Sequence, residues 1–154
     1  GRAAVRRDHG FTLIELIVVL AIAGLALGVA MVALPKVLER ARYHDTVAHV
    51  RALLGEGRLE SLRLGRPLTL RYDPAARRLW LDTGAAFDLP EGVEADWIVA
   101  ESEDTRRGIA AITFRPDGSN TGGTVTLGIP SRRVALRLDW LFGRIDEYPV
   151  SEAP

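Results

Sequence analysis

A continuous apolar segment near the start of the chain, residues 11–34, constrains the fold more than any other feature. Within it only Thr12 and Glu15 are clearly polar. A helix rises about 1.5 Å per residue, so a segment of this length can cross the roughly 30 Å of bilayer hydrocarbon. A secretory signal is the alternative, but its apolar core is typically about 7–15 residues long and ends at a small-x-small cleavage site, which is missing here. We therefore predict a transmembrane helix over residues 11–34.

The residues that follow favour a second stretch of helix outside the membrane. Pro35 comes directly after the apolar segment, and helical periodicity returns from residue 36. Val47, Val50 and Leu54 fall on one face of this helix, which indicates that it packs against a core. The sequence Gly-Arg-Pro that begins at Gly65 is predicted to end the helix.

From residue 68 onward apolar and polar residues alternate, which is typical of half-buried strands. Strands are predicted at residues 68–72, 78–82, 111–115, 124–129 and 134–140, with further short strands at 97–100 and 143–145. Residues 83–108 are otherwise predicted to be irregular, and the tail from Glu147 is predicted to fray. One long helix followed by an antiparallel sheet of about five to eight strands indicates an α+β fold.

These patterns divide the chain into four predicted segments. They are a polar leader over residues 1–10, the transmembrane helix over 11–34, an amphipathic continuation over 35–65 and a β domain over 66–154. Basic residues stand both before and after the apolar segment, so the positive-inside rule does not decide its orientation. The chain begins with Gly1 rather than Met, so we expect its natural start to differ from residue 1.

Composition argues against several classes of function. The 20 Lys and Arg residues balance the 20 Asp and Glu residues, so no nucleic-acid partner is expected. The chain has no Cys, which excludes disulfides and thiol catalysis. His9, His44 and His49 have neither metal-ligand spacing nor triad partners. The acidic residues between positions 91 and 104 match no compact calcium loop, so neither a metal nor another cofactor is expected.

Glu15 is the most informative polar residue because a carboxylate in the bilayer core costs roughly 2.5–3.5 kcal/mol. One interpretation is that Glu15 lies one turn from the helix start and reaches the headgroups. The other interpretation is that Glu15 pairs with a charge created by cleavage after Gly10, which directly precedes Phe11. A cut between these two residues frees an amine on Phe11. In a helical stack of subunits, Glu15 of one chain then meets that amine on a neighbour, and the pair sets the axial register.

Residues 10–16, Gly-Phe-Thr-Leu-Ile-Glu-Leu, followed by the apolar segment, resemble the class III signal of type IV prepilins and type II secretion pseudopilins. The resemblance implies that a prepilin peptidase cleaves between Gly10 and Phe11 and N-methylates Phe11. It also implies a single-pass protein of the bacterial inner membrane with its C-terminal domain in the periplasm. Asp8 and His9 beside the junction depart mildly from the basic leader of the family.

Residues 112–127 and 134–145 resemble the C-terminal domain of the H-type minor pseudopilin and its pilus relatives. This resemblance implies a β-sandwich-like domain and a structural, non-enzymatic subunit of a periplasmic pseudopilus, placed near its tip, that helps to drive exoprotein export. The implied partners are the major and other minor pseudopilins, the prepilin peptidase, the inner-membrane assembly platform and exoprotein cargo. The major pseudopilin fits less well, since Asp146 and Glu147 are too few for its acidic calcium loop.

Two alternative functions stay open at this point. The first is a minor pilin of a type IV pilus that helps to initiate assembly, since the same leader and a similar β domain serve both systems. The second is a membrane-anchored enzyme or binding protein with a coincidental N-terminus.

Overall fold

The structure, a computed structural model, describes residues 10–151 of the chain. Nearly all of the predicted leader, residues 1–9, lies outside the described residues, as do residues 152–154. The chain divides into two compact units, one ending at Leu38 and the other beginning at Glu39. The predicted segment boundaries near residues 10, 34 and 65 stay predictions.

A single helix, α1, spans Leu13–Leu64 and includes Pro35. In the first unit all of its side chains through Leu38 are exposed. The most apolar 18-residue window has a mean hydropathy of 2.8, so the helix is long and apolar enough to cross a membrane. This apolar, exposed stretch includes residues 13–34 of the predicted transmembrane segment.

The second unit contains the remainder of α1, which buries one face. The buried residues follow spacings of three and four, as a core-facing helix requires. They are Tyr43, Thr46, Val47, Val50, Leu53, Leu54, Gly57 and Ser61. The predicted core positions Val47, Val50 and Leu54 are therefore confirmed.

Eight strands and one short helix follow α1 within the described residues. In chain order they are β1 (Leu68–Asp73), β2 (Arg78–Leu81), β3 (Ala86–Asp88), β4 (Glu94–Val99), helix α2 (Glu103–Arg106), β5 (Ala110–Phe114), β6 (Gly123–Ile129), β7 (Arg132–Leu138) and β8 (Ile145–Pro149). They form two four-stranded sheets, with strand orders β3-β2-β1-β5 and β4-β6-β7-β8. All pairings are antiparallel, which confirms the predicted α+β architecture.

Alternating residues of both sheets join the buried face of α1 in one hydrophobic core. In β1 the buried members are Leu68, Leu70 and Tyr72, and in β6 Val125 and Leu127 are buried in the same alternating way. This alternation arises because successive side chains of a strand point to opposite faces.

Two small residues of α1 lie close to Phe114 of β5. A Cβ added at Gly57 would lie 2.5 Å from Cε2 of Phe114. One turn later the Ser61 hydroxyl lies 3.1 Å from the Phe114 carbonyl oxygen and 2.9 Å from that of Arg66. Glycine has a low helix propensity, but at position 57 its missing side chain provides the space that the Phe114 ring fills.

Two predictions about the strands were wrong. Residues 83–108, predicted to be mostly irregular, contain β3, β4 and α2. In β4 the inward residues are only half-buried, and the exposed Ile98 breaks the alternation that Glu94 and Asp96 begin, so the pattern is short and weak in the sequence. The tail from Glu147 does not fray at once, because β8 pairs with β7 and places Glu147 opposite Leu136. Backbone pairing orders β8 although most of its side chains are exposed.

Candidate functional site

The start of α1 holds the residues predicted to matter for processing and assembly. Gly10 and Phe11 precede the helix, and the Phe11 side chain is 89% exposed. The Thr12 N–H donates to Glu15 Oε2 at 3.0 Å, and the Thr12 hydroxyl donates to the same oxygen at 3.3 Å. In return the Glu15 N–H donates to Thr12 Oγ1 at 3.3 Å. These reciprocal bonds form a capping box at the helix N-terminus.

The capping box gives Glu15 a function within its own chain. Its carboxylate accepts side-chain and backbone hydrogen bonds only from Thr12 within the range 10–151. A negative charge in the first turn also interacts favourably with the helix dipole. Thr12 was not predicted as the capping partner of Glu15, although the spacing Thr-x-x-Glu just before an apolar segment is itself a signal for this motif. A contact between Glu15 and the Phe11 amine of a neighbouring chain stays a prediction.

The first unit exposes apolar side chains on every side of α1, from Leu13 to Leu38. A helix that is apolar all round is normally buried in a membrane or against other helices. Gly24 and Gly28 are four residues apart, and a Cβ at either would meet nothing within 4 Å. Small residues at this spacing allow a second helix to approach closely in a membrane.

The two histidines of the described residues make contacts with neighbouring aromatic and backbone groups. His49 stacks on Phe87 of β3, with ring centroids 4.6 Å apart and an interplanar angle of 14°. Its Nδ1 lies 2.9 Å from the Asp45 carbonyl oxygen. His44 is exposed on α1 and packs edge-on against Tyr43. Between residues 10 and 151, no three His, Cys, Asp or Glu side chains are placed to hold a metal ion.

Asp104, the last acidic residue of the stretch between positions 91 and 104, pairs with an arginine of β1. Asp104 Oδ2 lies 3.2 Å from Arg71 Nε, and Asp82 also pairs with that guanidinium. Burial lowers the pKa of Arg71, but the hydrogen bonds and charges of Asp82 and Asp104 outweigh burial and raise it overall. Arg71 thus ties β1 to the end of β2 and to α2, which is a structural function.

A turn after β7 displays large apolar side chains at a fixed position. Trp140 and Phe142 are both 62% exposed. The Asp139 carboxylate accepts from the backbone N–H groups of Leu141 at 3.0 Å and Phe142 at 2.6 Å. The Asn120 N–H donates to the Trp140 carbonyl oxygen at 2.9 Å. Exposed apolar groups held in a fixed turn are typical of a surface that contacts another protein.

Two family models match this chain. The model for the prokaryotic N-terminal methylation motif matches residues 5–31, which include the junction at Gly10 and much of the exposed part of α1. The model for the type II transport protein GspH matches residues 46–141, from the buried face of α1 to the aromatic turn after β7.

Three individual proteins are similar to this chain. The type II secretion system protein H of Xanthomonas campestris pv. campestris is 30% identical over 145 residues, which are 94% of this chain and 86% of the relative. The type IV minor pilin FimU of Pseudomonas aeruginosa has a TM-score of 0.54 at 18% identity, covering 75% of this chain and 95% of FimU. This likeness shows the fold alone. The minor pseudopilin EpsH from the type 2 secretion system of Vibrio cholerae has a TM-score of 0.49 at 16% identity, covering 74% of this chain and 95% of EpsH.

The GspH model covers more than half of the chain, and the Xanthomonas relative matches most of its length. On these grounds the chain belongs to the GspH family, the H-type minor pseudopilins of type II secretion systems.

Proposed function

We propose that this protein is a structural subunit of a periplasmic pseudopilus that helps to drive exoprotein export, and that its place is near the tip. The observation that carries the proposal is the exposed apolar part of α1 directly after Gly10 and Phe11. Membership of the GspH family supports it, and so does the arrangement of the histidines, which offers no catalytic site among the described residues. The protein is accordingly proposed to have no enzymatic activity.

The proposal includes a processing step and an orientation in the membrane. Prepilin peptidase cleaves between Gly10 and Phe11 on the cytoplasmic side of the inner membrane and methylates the new Phe11 amine. The methylation-motif match over residues 5–31 supports this step. The protein then crosses the membrane once, with its β domain in the periplasm.

Glu15 changes its partner during assembly. In the structure it caps its own helix through Thr12, a contribution of about 1 kcal/mol for a typical cap. Cleavage creates a positive amine on Phe11, and opposite charges attract more strongly in a medium of low dielectric constant than in water. In a stack of subunits, Glu15 pairs with the amine of a neighbouring chain and fixes the axial register.

The proposed partners of the assembled subunit are the major and other minor pseudopilins, the inner-membrane assembly platform and the exoprotein cargo. The exposed aromatic turn at Trp140 and Phe142 is the surface of the β domain that best suits such a contact, because aromatic side chains dominate binding energy at protein interfaces.

A test replaces Gly10 in cells that have or lack the peptidase. Wild-type protein is expected to lose its leader only when the peptidase is present, whereas Gly10→Val keeps the leader in both strains. Electrophoretic mobility and mass spectrometry of the N-terminus measure the outcome.

A Glu15→Val variant is expected to be processed normally but to leave exoproteins in the periplasm. Processing of Gly10→Val together with normal secretion by Glu15→Val would contradict the assembly mechanism.

The second candidate function is a minor pilin of a type IV pilus. The fold shared with FimU makes this a specific alternative. The 30% identity to a type II secretion protein over most of the chain favours the pseudopilus.

A further inference from the structure

The second sheet ends in an edge strand whose outer edge lacks a partner. β4 pairs with β6 from Glu94, opposite Gly128, to Val99, opposite Gly123. On its other edge, no backbone group of residues 94–99 bonds to a strand, turn or loop in the portion of the chain that the structure describes. The residues of an antiparallel strand point their N–H and C=O groups alternately to its two edges. β4 therefore presents a short unpaired ladder, the feature to which another strand binds most readily.

A cleft of about 580 Å³ runs along this free edge. One wall consists of residues 95–99, five consecutive positions of β4. Tyr72 of β1, Pro74, Thr105 of α2 and residues 108–110, which lead into β5, also line the cleft. Successive side chains alternate between the faces of a strand, so a wall of five consecutive residues follows the edge of β4 rather than one face.

The two faces of β4 have different chemistry beside the cleft. Ala95, Trp97 and Val99 are half-buried and pack against the core. The Trp97 ring stacks on Tyr72, with centroids 5.3 Å apart. A strand added beside β4 places every second side chain next to this apolar face.

The outward face is acidic and then apolar. Glu94 and Asp96 are exposed, and Ile98 is 67% exposed. Asp96 makes no ion pair with any described residue, and Glu94 lies 4.0 Å from Arg77 Nη1 at the limit of ion pairing. An added strand therefore gains most from basic side chains beside Glu94 and Asp96, since opposite charges across a strand pair are stabilising. A second copy of β4 is a poor occupant because it brings further carboxylates into the same short ladder.

We propose that the β4 edge binds an extended segment of a partner protein as an added antiparallel strand. Apolar residues of that segment face Ala95, Trp97 and Val99, and basic residues stand beside Glu94 and Asp96. The backbone ladder supplies affinity and the alternating side chains supply specificity, as in other cases of strand addition. This site does not depend on the pseudopilus function and is tested on the isolated protein.

The probe is an eight-residue peptide of alternating Val and Lys, capped at both ends and carrying a fluorophore, and the target is the full chain in neutral detergent micelles. Two N-methylated versions separate backbone pairing from charge attraction. One is methylated at every Val and the other at every Lys, so each loses the N–H donors of one edge only. We expect one version to bind about tenfold or more weakly than the other, because only one edge pairs with β4. Hydrogen exchange should slow at the amides of β4 that point to its free edge. It should stay unchanged at the amides of β8.

Charge reversal provides a matched pair of variants. Asp96→Lys is expected to weaken binding of the Val-Lys peptide by about fivefold and to favour a Val-Glu peptide instead. Glu101→Lys makes the same charge change in an exposed loop off the strand and should leave the preference unchanged. Equal affinity of the two N-methylated peptides, equal effects of the two variants, or no binding and no slowed exchange at β4 would each overturn the proposal.

Discussion

Gly55 and Gly57 of α1 stand two residues apart and have opposite surroundings. A Cβ at Gly55 would meet nothing within 4 Å, whereas one at Gly57 would lie 2.5 Å and 2.6 Å from two ring carbons of Phe114. Phe114 is fully buried in the core and belongs to β5, so its ring cannot move away without disturbing the sheet. Replacing each glycine by alanine therefore separates the effect of helix propensity on stability from the effect of packing against Phe114.

Gly57→Ala is expected to lower the free energy of unfolding by about 1–3 kcal/mol, because the added methyl overpacks the Phe114 site. Gly55→Ala, the matched control, is expected to raise it by about 0.5–1 kcal/mol, because alanine loses less conformational entropy in a helix. Denaturant unfolding of the full chain in detergent measures both changes. A Gly57→Ala variant as stable as Gly55→Ala would show that the helix and β5 are not packed as described.

Two buried tyrosines make stability depend on alkaline pH. Burial raises the pKa of Tyr43 above its ordinary value of 10.0, although the charge of Arg132 lowers it in part. Burial likewise raises the pKa of Tyr72, where Arg77 opposes the shift. Because each tyrosine has a higher pKa in the folded than in the unfolded protein, the folded state favours the neutral phenol. This contribution to stability is complete below the unfolded pKa of about 10. It is lost as pH rises through the folded pKa.

The free energy of unfolding is therefore expected to fall as pH increases above about 10. The double variant Tyr43→Phe, Tyr72→Phe should show a shallower decline than wild type. Denaturant titrations across this range measure the slopes. Identical slopes for wild type and the double variant would contradict the account.

At the scale of elements, the start of α1 depends on one reciprocal pair. Thr12→Val removes the hydroxyl that accepts from the Glu15 N–H at 3.3 Å, whereas Thr12→Ser keeps a hydroxyl there. Loss of a cap typically costs about 1 kcal/mol, so exchange of the Glu15 amide should speed up roughly fivefold in Thr12→Val. Thr12→Ser should remain near wild type. Hydrogen exchange of the full chain in micelles provides the measurement, and equal rates in all three proteins would rule out the capping box.

Strong periodicity made some elements predictable. The buried face at Val47, Val50 and Leu54 and the alternation in β1 are visible in the sequence because each places apolar residues at one regular spacing. β4 and β8 were missed or shortened because they are edge strands. Their side chains are mostly exposed or half-buried, so their order comes from backbone pairing, which leaves little pattern in the sequence.

At the scale of the whole molecule, the methylation motif matched over residues 5–31 was predictable because it is local. The capping partner Thr12 is equally local and was overlooked. The free edge of β4 was not predictable, because it depends on which strands the two sheets leave unpaired. The rigid aromatic turn at Trp140 likewise depends on Asn120, which is distant in sequence.

Loss of a secretion subunit impairs exoprotein export, whereas loss of a pilus subunit impairs twitching motility. A strain lacking this gene therefore tests the central claim directly. We predict that the strain retains exoproteins in the periplasm while its twitching motility is unchanged, and that the wild-type gene restores export. The measurement is the ratio of exoprotein in medium to exoprotein in periplasm, taken alongside twitching-zone diameter. Normal export combined with lost twitching would contradict the pseudopilus account and support the type IV pilus instead.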